Sequence, residues 1–317
     1  MTSVSTGLSG SVAPPPGHHD GVPGSGPPGA SPVGIIFSRR DGFVRRFASH
    51  RAAVAAVVFL LVVTAIAVLA EHIAPFKPSA QNLRLVLKGP SAEHLLGTDE
   101  LGRDVLSRLI FGARVSLLAG VQAVGVGVLL GVPLGLIAGY FGRWVDAGLS
   151  RIAEAILSFP PLLLAIAIVG VLGKGVTHAM IAIGVVFAPR FFRLVRGSVL
   201  SVREETYVEA ARSIGCTHSR IIGRHILPNV ISPLLIQVTL TIGLAMLSEA
   251  SLSFLGLGVQ PPESSWGSMM GSAYRHVSKQ PWQAVYPGLA IVLIVLSFNA
   301  VGDGLRSSIG RRAQRRS

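Results

Sequence analysis

Charged residues in this chain are confined to short interruptions between long uncharged stretches. Ala52–Ala70 (19 residues), Val115–Gly142 (28), Ala155–Gly173 (19), Ile226–Ser248 (23) and Ala284–Gly302 (19) contain no Asp, Glu, Lys or Arg. A 19-residue helix is about 28 Å long, close to the roughly 30 Å hydrocarbon core of a bilayer. Each of these five stretches therefore predicts a transmembrane helix. A sixth is weaker: Gly175–Ala188 offers 14 uncharged residues before Arg190. Extending it to Val195 requires Arg190 and Arg193 to reach a polar interface with their head groups. The pattern predicts an all-α membrane protein of about six transmembrane helices.

Two interruptions carry helical patterns of their own. In the stretch His94–Leu117, Thr98 is placed to N-cap a helix with Asp99 and Glu100 in its first turn. Leu101, Val105, Leu106, Leu109 and Ile110 form an apolar stripe opposite Arg103, Ser107 and Arg108, which predicts an amphipathic helix beside the bundle. His94, Asp99, Glu100 and Asp104 have no spacing diagnostic of a metal site. Further on, Ser201-Val-Arg-Glu204 reads as a capping box that starts a helix at about Val202. That helix runs through Glu209, Ala210 and Ala211 and stops at Gly215, with Glu209 able to pair with Arg212. Thr217 caps a second short helix ending before Pro228, with Arg220 and Arg224 on one face and Ile222 and Ile226 on another.

Inside the spans, Gly127, Gly131, Gly135 and Gly139 recur every four residues and predict one helix face built for close packing, with lining of a substrate path as the other reading. Glu249 ends a long apolar stretch near the outer face. An ionisable residue there is a functional candidate. Structural hydrogen bonding at a hydrated, Ser-rich interface competes with a gating or pathway role and with substrate contact. Trp266, Trp282 and Tyr286 read as interfacial aromatics.

Composition agrees with a membrane protein: of 317 residues 50% are hydrophobic and 14% charged, against about 25% charged in soluble domains. Met1–Pro32 is rich in Gly, Pro and Ser without apolar periodicity, so it reads as a disordered tail, followed by the basic residues Arg39, Arg40, Arg45, Arg46 and Arg51. The formal charge of +13 is a matter of topology. With six spans and a cytoplasmic N-terminus, 19 of the 28 Lys/Arg residues fall on the inner side, and the weak fourth span is what keeps this asymmetry. Both termini are then cytoplasmic and nucleic acid is not an expected partner. The organisation expected is a tail over 1–50, a first helix and extracytoplasmic segment over 51–114, a core over 115–306 with a cytoplasmic loop at 201–229, and a basic tail over 307–317.

No catalytic pattern emerges. Gly173-Lys174 is followed by Gly175 and lacks the upstream glycine of a phosphate-binding loop. Gly7-Leu-Ser9-Gly10 lies in the tail, the nine histidines form no HExxH, and Cys216 is the only cysteine. The chain therefore reads as a non-catalytic membrane protein that binds no cofactor or metal.

The loop does resemble something known. Glu209-Ala210-Ala211, three residues, Gly215, nine residues, then Ile226-Leu227-Pro228 one position on resembles the EAA signature of ATP-binding-cassette importer permeases, with His225 where the family has an apolar residue. LGTDELGRDVLSRLIFGARVSL and EASLSFLGLGVQPPESSWGSMM resemble the second permease of dipeptide, oligopeptide and nickel importers. The resemblance implies a type I importer bundle in a bacterial plasma membrane. Its loop, through Glu209, Ala210, Ala211, Gly215, Ile226, Leu227 and Pro228, would sit in a groove of a separate ATPase subunit. Implied partners are a second homologous permease, two ATPase subunits holding ATP and Mg, and an extracytoplasmic solute-binding protein. The cargo implied is a dipeptide, oligopeptide or related small solute; relatives that take nickel chelates or glycosides share these stretches. An ion-driven secondary transporter is the alternative, but it would need ionisable residues in mid-membrane, and the five clear spans contain none.

Overall fold

The computed structural model describes residues 43–310. The Gly/Pro/Ser-rich tail, Arg39–Arg40 and the last seven residues of the basic C-terminal tail lie outside the described residues. Those described form helices and no strand. They are α1 (Phe43–Ala48), α2 (Arg51–Val68), α3 (Ala70–Ile73), α4 (Val105–Phe141), α5 (Arg143–Leu157), α6 (Pro161–Leu172), α7 (Val176–Val202), α8 (Thr206–Ser213), α9 (His218–Ile221), α10 (Leu227–Phe254), α11 (Trp266–Tyr274) and α12 (Trp282–Gly310). A π turn, Ile222–Ile226, joins α9 to α10 without a break.

Five runs are long and apolar enough to cross a membrane: α2, α4, α7, the continuous His218–Phe254 run and α12. The pair α5 and α6, bent by 95° at a short break, makes a sixth if counted as one span. Six spans were expected, but the weak one has moved. The doubtful fourth stretch is a continuous 27-residue helix, because its 14 uncharged residues are extended by a turn-after-turn apolar face that runs past Arg190 and Arg193 through Phe191, Phe192, Val195 and Val199, all buried. The third stretch is instead interrupted. Pro160 and Pro161 deny two backbone donors, so the helix ends at Leu157 and α6 restarts with Pro161 at its first position.

The amphipathic helix expected from Thr98 is not separate. Asp99 accepts the backbone N–H groups of Leu101 (2.9 Å) and Arg103 (3.0 Å), and Gly102 takes a left-handed φ of +67°, so this stretch is a turn. The cap is Asp104, whose carboxylate accepts from the Ser107 N–H at 2.7 Å, and α4 then runs unbroken for 37 residues. At about 55 Å, α4 is far longer than a hydrocarbon core. The predicted boundary at Val115 is therefore not a structural one.

α4 and α7 form the centre. Gly127 meets Gly184 and Phe191, and Gly139 meets Arg196 and Val199. Contacts advance in the same direction on both helices, so they run parallel while α5 and α6 return the chain. α6 and α10 complete one buried cluster around Met180, Ile183, Phe187 and Phe191. A second, around Met246, Ala250, Trp266 and Ile294, joins α2, α4, α10, α11 and α12. A third lies beneath α8 and α9 and includes Tyr140, Val195, Val199 and Val230.

Candidate functional site

The polar module between α7 and α10 folds differently from its capping signals. Ser201 lies in the last turn of α7, which ends at Val202, and the next helix begins at Thr206 with Glu205 in the N-cap position. The expected capping box is absent because the preceding helix consumes its residues. At the other end the sequence reading agrees with the geometry. Gly215 has φ +79°, its N–H donates to the Arg212 carbonyl (3.0 Å), and the Cys216 N–H donates to the Ala211 carbonyl (3.1 Å). These two bonds are a Schellman termination, and only a left-handed residue closes it without strain. Thr217 occupies the N-cap position of α9, as its place in the sequence predicts, but its hydroxyl makes no cap bond and lies 3.4 Å from the Ser219 hydroxyl instead. The second helix does not stop before Pro228. The Leu227 N–H reaches the Ile222 carbonyl, five residues back, and this π register carries the helix through Pro228, which has no N–H of its own.

The module has an inner and an outer face. Val208, Ala211, Ile221 and Ile226 are buried against Tyr140 of α4 and Val195 and Val199 of α7. Glu209, Ala210, Gly215 and Pro228 are exposed, Leu227 is partly so, and Ile214 is 81% exposed. Arg212, Arg220 and Arg224 are exposed around them. No ion pair joins Glu209 to Arg212 among the described residues, which corrects the pairing expected from sequence; on so exposed a surface the gain would not offset the ordering of two side chains.

Polar contacts hold the module to its surroundings. The Tyr140 hydroxyl lies 2.7 Å from Nδ1 of His218, and the Arg203 guanidinium donates to the Gly139 carbonyl at 2.9 Å. Asn229 donates to the Tyr207 hydroxyl and to the His225 carbonyl. Partial burial and the nearby Glu205 carboxylate push the Tyr207 phenol above its usual range, with the Asn229 bond opposing, so it stays a neutral acceptor. Behind the module, Arg196 of α7 makes a two-pronged bond to Asp146 of α5, one arm at 2.7 Å.

The four glycines of α4 lie against α7. A Cβ would come to 3.1 Å from the Phe191 ring at Gly127, 2.4 Å from the Ala188 carbonyl oxygen at Gly131, 2.7 Å from the Phe192 carbonyl oxygen at Gly135 and 2.7 Å from Val199 Cβ at Gly139.

Glu249 does not have the hydration expected for it: it is 1% exposed. Its Oε1 accepts from the Ser253 hydroxyl at 2.6 Å, and the hydroxyls of Ser265 and Ser116 lie beside the same carboxyl group. Each serine oxygen already accepts a backbone N–H, from Val259, Ser268 and Trp266 respectively, so each hydroxyl proton is free for the carboxylate. The sequence shows Ser253 one turn after Glu249, but Ser116 and Ser265 approach only through folding. Trp266 is likewise buried rather than interfacial, with its indole N–H on the Leu109 carbonyl (3.0 Å), whereas Trp282 is exposed.

At the same end, a cleft of about 590 Å³ is lined in part by Glu100, Arg103, Arg108, Gln260, Glu263 and Arg275. The carboxylates weighed as metal ligands are otherwise engaged: Asp104 with His94 (2.9 Å) and Asp99 with Arg103 (2.7 Å). Among the described residues no group of His, Cys, Asp and Glu could hold a metal ion.

Residues 131–315 match the family model described as binding-protein-dependent transport system inner membrane component, and residues 38–90 match the N-terminal TM domain of oligopeptide transport permease C. The dipeptide transport system permease protein DppC of Alkalihalophilus pseudofirmus is 46% identical over 257 residues, covering 80% of this chain and 84% of its own. The glutathione transport system permease protein GsiD of Pectobacterium atrosepticum is 43% identical over 270 residues, covering 84% and 89%. Among solved structures, an inward-facing conformation of the MetNI methionine ABC transporter superposes with a TM-score of 0.54 at 20% identity, covering 64% of this chain and 97% of that one, a likeness of fold. The chain belongs to the binding-protein-dependent inner-membrane components, and is a multi-pass permease subunit of the peptide family of ABC importers.

Proposed function

We propose that this permease carries dipeptides, or a peptide-like solute such as glutathione, into a bacterial cell, coupled through the 206–228 module to a separate ATPase. In this reading the module and both termini face the cytoplasm. Two ATPase subunits bind ATP and Mg and grip the exposed side of Glu209, Ala210 and Gly215, a second permease completes the path, and a solute-binding protein delivers cargo from outside. Ile226, Leu227 and Pro228 join the grip to α10. The α4 glycines act as a packing seam. Glu249 holds α4, α10 and the 255–265 loop together through its serines, in preference to contacting cargo. Peptide-type cargo is favoured by the names of the two relatives described above, each more than 40% identical to this chain.

The observation that carries the proposal is the division of the module. One face is packed tightly onto two spans while the other presents small and charged side chains that are exposed among the described residues. Such a surface suits close approach by another protein. Coexpression with its cognate ATPase subunits tests it. Wild type should retain the ATPase through purification, and Ala210→Trp, which adds bulk at an exposed position, should release most of it without lowering the amount of permease in the membrane. Full retention by Ala210→Trp would refute docking on this face.

A further inference from the structure

The module's apolar contacts with α4 and α7 resist separation but not sliding, since burial has no direction. A hydrogen bond does have direction. Among the described residues, one side-chain hydrogen bond runs from the 206–226 stretch to another membrane-crossing helix: His218 Nδ1 with the Tyr140 hydroxyl, at 2.7 Å. The other polar bonds of this stretch stay within it or reach only Asn229 at the start of α10. The two rings also meet edge to face at 5.5 Å, and Phe141 stands 6.0 Å from the imidazole, so His218 sits against the last two residues of α4. Tyr140 is buried although His218 is exposed.

We propose that Tyr140 and His218 are positioning residues that fix the register between the docking module and the end of α4, so that movement imposed on the module is delivered to α4. This rests on the coupling role proposed above. What α4 receives, α7 shares: the two are seated together along Gly127–Gly139, and Arg203 clamps the Gly139 carbonyl, the residue before Tyr140. Without the bond, only apolar packing sets the position of the module against α4, and part of each stroke is lost on the way to that helix. The ATPase would still dock, because Glu209 and Ala210 are on the opposite face, and it would still turn over. The signature is uncoupling.

The test uses the full complex in liposomes with saturating binding protein and cargo, measuring uptake and ATP hydrolysis together. Tyr140→Phe removes one oxygen and keeps the ring. His218→Leu removes the partner, and His218→Asn keeps a polar atom close to the place of Nδ1. Tyr140→Phe and His218→Leu should each lower the uptake per ATP by at least about threefold, the scale of one hydrogen bond. The double variant should be no worse than either single one, and His218→Asn should recover most of the ratio. An unchanged ratio in Tyr140→Phe overturns the proposal. Should that variant fail to assemble, an unchanged ratio in His218→Leu overturns it equally. If the wild-type complex shows no ATP-dependent uptake at all, it is the coupling role that fails rather than this contact.

Discussion

The seam between α4 and α7 and the 206–228 module are both rich in small residues, yet for opposite reasons. In the seam the space is taken: at Gly131 a Cβ would stand 2.4 Å from the backbone oxygen of Ala188. In the module the space is empty: at Gly215 a Cβ would meet nothing within 4 Å. Gly215 is required by its backbone, with φ +79°, and Ala210 lies on an open surface. Small residues in the seam bring two spans of one chain together, whereas those in the module leave room outside the chain. A single compositional cue thus marks a tightly packed centre and an exposed surface, which the proposed function assigns to another protein, and the first supports the second through Gly139, Tyr140 and Val199.

The largest effect separating the two regions is expected at Gly131→Leu. The side chain would have to displace a helix backbone, which cannot turn aside as a flexible side chain can. Overpacking of this kind costs about 3 kcal/mol or more. Folded permease recovered from membranes should fall sharply and its thermal midpoint should drop. Recovery at the wild-type level and midpoint would mean that α4 and α7 do not pack through this face.

Gly215→Val should do less and do it locally. Leaving the left-handed region undoes the Schellman bonds, and staying there costs about 1–2 kcal/mol for a residue with a Cβ, more for a branched one. The bundle should melt as before, while the module loosens. Cys216 is half-buried beside Gly215 and is the chain's only cysteine, so its rate of thiol labelling reads that loosening directly. Labelling should quicken in Gly215→Val with the bundle's midpoint unchanged. An unchanged rate would mean that the turn is not what orders the module.

The same contrast explains what was legible in the sequence. Six apolar passages, the glycine face and the helix end at Gly215 could be read because each is a local pattern: uninterrupted apolarity, a four-residue period, a glycine just past a helical run. Helix boundaries failed where a neighbour overrode the local signal. Thr98 resembles a cap, but Asp99 takes the nearby N–H groups and leaves Asp104 to start the helix. Ser201 and Glu204 resemble a capping box, but α7 is still turning there. Pro228 resembles a stop, but a π turn absorbs it. The setting of Glu249 was the least legible of all. Two of its three serines lie more than ten residues away in sequence, and nothing local to SEASLS foretells that α4 and the 255–265 loop close over it.

The smallest effect is also the sharpest test of where the seam ends. Gly125 lies in α4 two residues before Gly127, and a Cβ placed there meets nothing within 4 Å, whereas at Gly127 it would press on the Phe191 ring at 3.1 Å. For the chain alone, Gly125→Ala should leave stability unchanged or raise it by up to about 1 kcal/mol, since alanine orders a helix at lower entropic cost than glycine. Gly127→Ala should lower it, because the ring must shift. The thermal midpoints of the two variants, measured on the isolated permease, should move apart in that order. Repeating the pair in the assembled complex then asks a different question. If Gly125→Ala stays neutral in the isolated chain but weakens the complex, the open side of α4 is covered there by another subunit, and the close-packing logic of the seam extends beyond this chain. If it is neutral in both, the seam is one-sided, and α4 meets its partners, where it meets any, through larger side chains.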